Sequence, residues 1–341
     1  MTSAKTVRVA VTQQEPAWLN LQESVQKTCR LIIEAKENGA ELVSFPEVWI
    51  PGYPAWLWDR PCDFELNLKY IQNSLAVKSP EMDRLRECAA NNNISVVLGF
   101  SENHHDSLYI AQAIIGPDGL IKMHRRKFKP THMERTLFGD SSGGSLMNVV
   151  NAPFGRLGAL ACWEHIQPLL KYHTITQREQ IHVAAWPPLF DYGGGPDLWS
   201  MSHEGCKSVS RTYAVESQTF VLHTTAVISQ RGVDEMRTST APLMNSPGGG
   251  TSAIFGPDGR QISIDIPQTE EGIIYADLDM LEIVKAKGFV DSVGHYSRPD
   301  MLWLGVDTRE RSHLRTHDGK GMYDCSEEVG ESVGKVVYEI D

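Results

Sequence analysis

Short apolar segments alternate with amphipathic segments along most of this chain, and this alternation restricts the possible fold more than any other feature. The segments with the composition of strands are residues 7–11, 41–45, 94–101, 108–115, 120–124, 149–153, 156–161, 182–186, 220–225, 251–255, 261–266 and 272–277. The segments with helical character are residues 21–38, 80–93, 166–178 and 198–215. Strands interspersed with covering helices predict an α/β protein with a mixed sheet.

Capping and turn residues indicate where several of these elements begin and end. Asn20, Ser79 and Asp197 precede the helical segments, so each is expected to cap a helix. The sequence Gly-Pro-Asp-Gly occurs at residues 116–119 and again at 256–259, both times between strand-like segments. These two turns predict two β-hairpins.

The domain organisation follows from where the composition changes. No segment between residues 7 and 280 resembles a linker, which favours a single domain over residues 1–306. Residues 307–341 are polar and charged with scattered glycines. We expect this segment to be a C-terminal tail, either flexible or docked on a neighbouring subunit.

Charge and cysteine usage exclude several classes of partner. The formal net charge of −11 argues against binding to nucleic acid or to an anionic membrane. No apolar stretch approaches the roughly 20 residues of a membrane helix, and no signal peptide is visible at the polar N-terminus. The six cysteines occur singly, as is typical of reduced proteins. We therefore expect a soluble, cytoplasmic protein.

Cys162 follows a predicted strand and precedes a predicted helix with Pro168 in its first turn. Such a turn presents a side chain at the carboxyl edge of a sheet, close to free backbone N–H groups and the positive end of a helix dipole. This setting is expected to favour the thiolate, which is the nucleophilic form of cysteine. A buried structural cysteine is the common alternative.

Two further reactive side chains follow strands in the same way. Glu47 comes after the strand at residues 41–45, among aromatic and proline residues that are expected to raise its pKa. Lys127 comes after the strand that ends near His124. The alternative for Glu47 is a turn carboxylate that accepts backbone hydrogen bonds. The alternative for Lys127 is a solvated charge on the surface. Because ligand sites in open α/β sheets lie at the carboxyl ends of the strands, Glu47, Lys127 and Cys162 together favour a catalytic site.

The motifs around these residues resemble those of the nitrilase superfamily over residues 6–306. The resemblance rests on the segments at residues 45–54 (Phe-Pro-Glu to Pro-Gly-Tyr-Pro), 125–131 (Arg-Arg-Lys-Phe-Lys-Pro-Thr), 162–165 (Cys-Trp-Glu-His), 182–187 and 294–300. The chain is most similar to fungal and bacterial nitrilases and to their cyanide-converting relatives.

This resemblance implies a four-layer αββα sandwich with mixed sheets. It implies that Glu47, Lys127 and Cys162 are catalytic, with Glu134 as the second glutamate of the family. Cys162 would attack the substrate carbon after Glu47 takes its proton. The resemblance also implies that no metal or organic cofactor is needed, and that the protein forms a homo-oligomer built from dimers, which in nitrilases often extends into a spiral or filament.

The expected substrate is a small organic nitrile, aliphatic or arylaliphatic, which is converted to a carboxylic acid and ammonia. Tyr53, Trp163, Trp186 and His132 are the candidates for substrate binding because they lie at or beside the motifs. Trp163 stands where many amidase relatives carry a smaller or acidic residue, and this favours a nitrile over a bulky amide. Core packing is the alternative role for the aromatic residues.

Three other functions remain open. Release of an amide would make the protein a cyanide or nitrile hydratase, and hydrolysis of another substrate would make it an amidase or carbamoylase. A non-catalytic scaffold is the third alternative. Metal binding is not expected, because His104, His105 and Asp106, or His124 with His132, lack the spacing of known metal sites.

Overall fold

The computed structural model describes residues 6–310, so the predicted tail lies outside the described residues except for residues 307–310. The described helices are α1 Leu21–Glu37, α2 Phe64–Asn73, α3 Pro80–Asn91, α4 Pro168–Thr176, α5 His203–Ser217, α6 Gln230–Met236 and α7 Leu281–Phe289. The described strands are β1 Thr6–Gln14, β2 Leu42–Ser44, β3 Ser95–His104, β4 Ser107–Ile115, β5 Ile121–Arg126, β6 Val149–Ala152, β7 Gly155–Ala161, β8 Ile181–Ala185, β9 Phe220–Ala226, β10 Ala253–Phe255 and β11 Gly272–Asp279.

The strands form two mixed sheets. The first has the order β5-β4-β3-β2-β1-β11 and the second has the order β6-β7-β8-β9-β10. Within them, β1, β2 and β3 run parallel, as do β7, β8 and β9, and the remaining neighbours pair antiparallel. Among the described strands, backbone pairing joins the two sheets only where Gln13 and Gln14 pair with Thr225 and Ala226. The carboxyl ends of β1 and β9 therefore converge at one edge.

The inner faces of the two sheets pack against each other. Val9 and Val97 of the first sheet belong to one buried cluster with Leu157 and Leu222 of the second. Successive residues of a strand point to opposite faces. Accordingly Val97 enters this central cluster, whereas its neighbours contact the helices.

Helices cover both outer faces. On the first sheet, Ile32 of α1 and Leu85 of α3 pack with strand residues such as Leu98. On the second sheet, Leu170 of α4 and Tyr213 of α5 pack with strand residues on the opposite side from the central cluster. The order of layers is therefore helix, sheet, sheet, helix, which confirms the predicted αββα sandwich.

Two of the three predicted helix caps are confirmed and one is wrong. The side chains of Asn20 and Ser79 accept hydrogen bonds from backbone N–H groups at the starts of α1 and α3. Asp197 caps no helix, because Trp199–Met201 form a separate 3₁₀ turn. The helix begins only after Ser202, whose Oγ accepts a hydrogen bond of 3.2 Å from the backbone of Gly205.

The hairpin predictions have different outcomes. The turn at residues 116–119 joins β4 to β5 as expected. The turn at residues 256–259 also forms, but residues 261–266 contribute only an isolated bridge between Gln261 and Phe255 rather than a strand. Helices α2, α6 and α7 were not predicted. None of the helices in the described part of the chain is both long enough and apolar enough to cross a membrane.

The start of α5 can be tested by removing each possible cap. We expect Ser202→Ala to lower the free energy of unfolding by about 1 kcal/mol, because a backbone N–H of the first turn loses its acceptor. Asp197→Ala is expected to change it by less than about 0.5 kcal/mol. Urea unfolding followed by circular dichroism measures both values, and a larger loss in the Asp197 variant would contradict this assignment.

Candidate active site

Three strand ends bring Glu47, Lys127 and Cys162 together. Lys127 and Cys162 directly follow β5 and β7, and Glu47 lies three residues beyond β2. The ammonium Nζ of Lys127 lies 2.8 Å from Oε1 of Glu47 and 2.8 Å from Oε2 of Glu134. Oxygen atoms of both glutamates and Sγ of Cys162 all lie within 4.8 Å of one another. The four residues predicted to be catalytic thus form one cluster.

Lys127 is only 1% exposed, so the alternative of a solvated surface lysine is wrong. Burial by itself lowers the pKa of Lys127, but the carboxylates of Glu134 and Glu47 outweigh this effect and hold it well above its usual value. The lysine is therefore a fixed cation beside the thiol of Cys162.

Glu47 is buried, and burial raises its pKa to about 7 although the charge of Lys127 opposes the shift. The nearby Glu134 raises the pKa further. The predicted rise in pKa is confirmed. Oε2 of Glu47 has no hydrogen-bond partner among the described residues. This carboxylate can therefore accept a proton from a group that enters the cluster.

Cys162 occupies a strained turn. It is 3% exposed, its φ of +53° lies in the left-handed region, and it opens the 3₁₀ turn Cys162–Ile166. Burial and the charge of Glu47 raise the pKa of the thiol well above its usual value, although Lys127 lowers it. The raised pKa contradicts the prediction that this turn favours the thiolate. A base must remove the proton before the sulfur can react.

Glu134 is held from three directions. Besides Lys127, it accepts a hydrogen bond of 2.6 Å from the backbone N–H of Thr131 and one of 3.1 Å from the hydroxyl of Tyr53. The hydroxyl of Tyr53 in turn accepts a bond of 3.2 Å from the indole of Trp58. These contacts orient Glu134 towards the ammonium group.

Sequence reasoning missed a second buried ion pair, between Arg125 and Glu164. Their side chains are 0% exposed, and the shorter of their two hydrogen bonds is 2.6 Å. Glu164 also accepts hydrogen bonds from the backbone of Phe128 at 2.7 Å and of Ala161 at 2.8 Å. Phe128 and Ala161 adjoin Lys127 and Cys162 in the chain. The ion pair of Arg125 and Glu164 therefore helps to set the distance between the ammonium group and the thiol. Arg125 and Glu164 lie within the motifs at residues 125–131 and 162–165. The sequence alone did not indicate that their side chains are buried.

A cavity of about 260 Å³ opens onto the cluster. Cys162 and Glu134 form part of its wall together with Tyr53 and Trp163, two of the predicted binding residues. Most of the remaining wall is apolar or aromatic, and its members include Trp58, Leu189, Phe190, Leu198, Met201 and Met244. The wall therefore suits an apolar ligand with its polar end at the thiol.

The other two predicted binding residues are not among those that line the cavity. Trp186 is 0% exposed, and its indole donates a hydrogen bond of 3.0 Å to Ser210. His132 stacks on Trp58 with ring centroids 5.1 Å apart. Trp186 and His132 thus contact residues of the cavity wall, Trp163 and Trp58, without lining the cavity themselves. Trp58 was not a predicted binding residue, yet it faces the cavity.

Glu47, Glu134 and Cys162 also have the spacing of a metal site. A positive charge already lies between the two carboxylates, because Nζ of Lys127 lies 2.8 Å from each of them. A lysine in this place competes with a metal ion for the same oxygen atoms. The arrangement instead combines a proton acceptor, a cation and a thiol at one end of a cavity, as nucleophilic catalysis requires.

Comparison with known proteins places the chain in a family. The family described as carbon-nitrogen hydrolase matches residues 8–287. An arylacetonitrilase from Aspergillus kawachii is 66% identical over 309 residues, which cover 91% of this chain and 94% of that protein. An arylacetonitrilase from Hypocrea virens is 64% identical over 311 residues, again covering 91% and 94%.

The fold also has solved counterparts. A carbon-nitrogen hydrolase from Helicobacter pylori superposes with a TM-score of 0.69 at 15% identity, over 86% of this chain and 96% of that one. The likeness confirms the sandwich architecture, and the family match confirms the resemblance inferred from the motifs. The chain belongs to the carbon–nitrogen hydrolase family, that is, the nitrilase superfamily.

Proposed function

We propose that the protein is a nitrilase that hydrolyses arylacetonitriles to the carboxylic acid and ammonia, with Cys162 as nucleophile. The observation that carries this proposal is the position of Lys127 between Glu47 and Glu134, beside a buried thiol at the end of an apolar cavity. The relatives named arylacetonitrilase support the substrate class. Within the range of nitriles expected from the sequence, they favour the arylaliphatic compounds.

The first step is attack of the sulfur of Cys162 on the nitrile carbon. Because the pKa of this thiol is raised, Glu47 takes the proton as the carbon–sulfur bond forms. One π bond of the nitrile breaks, and its electron pair moves to the nitrogen. Lys127 and the backbone N–H of Trp163 stabilise this charge, and one such donor is commonly worth ~3 to 4 kcal/mol. Glu47 passes this proton on to the nitrogen, which gives a neutral thioimidate and leaves Glu47 ionised again.

Two water molecules complete the reaction. Glu47 takes a proton from the first water, which adds to the thioimidate carbon to give a tetrahedral intermediate. The nitrogen takes up this proton and then the proton of the new hydroxyl group, so that ammonia leaves and a thioester remains. The second water releases the carboxylic acid and regenerates the thiol. If the sulfur leaves instead of the nitrogen, the product is an amide, so the electrostatics around Lys127 and Glu134 set the ratio of acid to amide.

The cavity supports the aryl part of the proposal. Its volume of about 260 Å³ and its largely apolar wall suit a single aromatic ring that carries a short nitrile arm. Tyr53 and Trp163 lie beside the thiol and are placed to bound the arm, whereas Phe190 and Leu198 belong to the apolar part of the wall.

We further propose that residues 1–306 form one catalytic domain, that the segment from residue 307 is a tail, either flexible or docked on a neighbouring subunit, and that the protein assembles into a homo-oligomer built from dimers. Apolar side chains are exposed on the turn and helix that follow Cys162, at Ile166 with 49% and Leu169 with 69%, and shortly before the tail in sequence, at Trp303 with 78%. Exposed apolar surface of this kind supports an interface. Extension into a filament and a cytoplasmic location remain predictions.

The proposed reaction is tested by product analysis on a panel of arylacetonitriles, aliphatic nitriles and cyanide. We expect the wild type to release acid and ammonia from arylacetonitriles. Cys162→Ala should lose this activity completely because the nucleophile is absent, whereas Cys62→Ala, at an exposed thiol, should retain it. Amide as the sole product would show a hydratase, and turnover of amides alone would show an amidase.

The pH dependence is set by Glu47, which must be ionised to act as a base. Because its pKa is raised to about 7, the carboxyl group becomes protonated as the pH falls through this value. We expect kcat/KM on an arylacetonitrile to fall about tenfold per pH unit below 7, since this parameter reports the free enzyme. If kcat/KM instead began to fall only near the usual pKa of a glutamate, about 4.3, the role of burial in raising the pKa of Glu47 would be contradicted.

The assembly is tested by light scattering coupled to gel filtration. We expect a mass at least twice that of the chain of 38.0 kDa. Replacement of Leu169 by Lys, a charged residue in the exposed apolar patch, should lower this mass, because a charge buried at an interface without a partner is costly. Arg260→Glu changes an exposed charge elsewhere and serves as the control. A monomeric wild type would refute the proposal.

A further inference from the structure

Three buried side chains form a hydrogen-bonded chain that starts at the backbone of Cys162 and has no part in the mechanism above. Nδ1 of His165 lies 2.7 Å from the carbonyl oxygen of Cys162, and its Nε2 lies 2.9 Å from Nε2 of His182. Nδ1 of His182 lies 2.7 Å from Oε2 of Glu179. The hydroxyl of Tyr213 donates to the other oxygen of Glu179. The side chains of His182 and Glu179 are 0% exposed.

The number of hydrogens in this chain can be counted. A carbonyl oxygen only accepts hydrogen bonds, so Nδ1 of His165 must carry a hydrogen. One hydrogen is also needed between His165 and His182, and a third between His182 and Glu179. Two neutral imidazoles supply two hydrogens and an ionised carboxylate supplies none. The chain therefore needs one proton more than two neutral histidines and a carboxylate provide.

The alternative without this proton is unfavourable at Cys162. An ionised Glu179 would draw the hydrogen of His182 to Nδ1, and His182 would then accept at Nε2 from His165. Nδ1 of His165 would be left with a lone pair facing the carbonyl oxygen of Cys162. Two acceptors 2.7 Å apart repel each other, so the turn that holds the thiol would be displaced.

We propose that the buried pair of His182 and Glu179 holds an extra proton, which fixes His165 as a hydrogen-bond donor to the carbonyl of Cys162. His165, His182 and Glu179 then act as positioning residues for the nucleophile. Cys162 needs such support, because a residue other than glycine at a φ of +53° is strained unless its surroundings hold it. This inference rests on the proposed role of Cys162.

The distribution of the proton follows from the surroundings of the chain. Burial lowers the pKa of His165 well below its usual value, and His182 lowers it further, so the proton is not on His165. Burial and the charge of Glu179 raise the pKa of Tyr213, so its hydroxyl remains a donor. The proton is shared within the pair of His182 and Glu179. Either location leaves the hydrogen of His165 on Nδ1.

The direct test is nitrogen NMR of the full-length wild-type protein labelled with ¹⁵N-histidine, recorded in the solid state so that assembly size does not matter. His165→Asn identifies the signals of His165. We expect hydrogen on Nδ1 of His165 and none on its Nε2, and hydrogen on Nε2 of His182. A hydrogen on Nε2 of His165 would overturn the proposal. This readout needs no turnover, so its failure is distinct from failure of the proposed nitrilase activity.

Kinetics test the positioning role. His165→Leu removes the donor, and we expect kcat on an arylacetonitrile to fall about 100-fold with KM within about twofold, because the nucleophile is misplaced but the cavity is intact. His165→Asn keeps an N–H close to the Cys162 carbonyl and should restore kcat to within about fivefold of wild type. An equal loss of kcat in His165→Leu and His165→Asn would refute the positioning role of His165.

Glu179→Gln tests the proton count by a second route. Its amide can accept from Tyr213 and donate to Nδ1 of His182, so it supplies the third hydrogen without an extra proton. We expect this variant to keep hydrogen on Nδ1 of His165 and to lose any double protonation of His182. Hydrogen on Nε2 of His165 in this variant would contradict the count.

A matched control separates positioning from stability. Thr28→Val removes a buried hydrogen bond of 2.7 Å from the indole of Trp49 in the opposite helical layer. We expect it to lower Tm to a similar extent as His165→Leu and to leave kcat unchanged. A similar loss of kcat in Thr28→Val would show that reduced stability alone explains the effect, and this would overturn the positioning role.

Discussion

Burial of the Lys127 ammonium group is the constraint on which the rest of the site depends. A charge removed from water needs partners of opposite sign, and Glu47 and Glu134 provide them at 2.8 Å each. Burial raises the pKa of the Cys162 thiol, and the charge of Glu47 raises it further, although the charge of Lys127 lowers it. The same cluster therefore disfavours ionisation of the thiol and contains Glu47, the proposed base that removes its proton.

The geometry of this cluster is maintained by contacts that touch no substrate. The buried pair of Arg125 and Glu164 joins the ends of β5 and β7, so Lys127 and Cys162 keep a constant separation. On the other side of Cys162, His165 holds its carbonyl oxygen. Because a side chain in a strained turn is positioned only as well as its supports allow, the proposed reaction depends on these buried polar residues as well as on the reactive groups.

The sequence predicted the layered α/β fold well, since apolar strands, capped helices and hairpin turns are local patterns. Its errors were also local in origin. Asp197 has a capping side chain, but Ser202 is the residue that adopts the extended backbone before α5. Residues 261–266 alternate like a strand, yet they gain only one bridging partner. A short-range pattern contains no information on whether a partner is available in space.

By itself, the sequence indicated which groups are candidates for catalysis, because Glu47, Lys127 and Cys162 each stand at a strand end inside a recognisable motif. Only the tertiary structure decided their electrostatics and their supports. The turn at Cys162 was expected to favour the thiolate, but burial and the charge of Glu47 raise the pKa of the thiol. Trp58 lines the cavity, whereas Trp186 is fully buried and does not line it. Burial, charge separation and hydrogen-bond direction depend on residues far apart in the chain, and they exist only once the two sheets have packed.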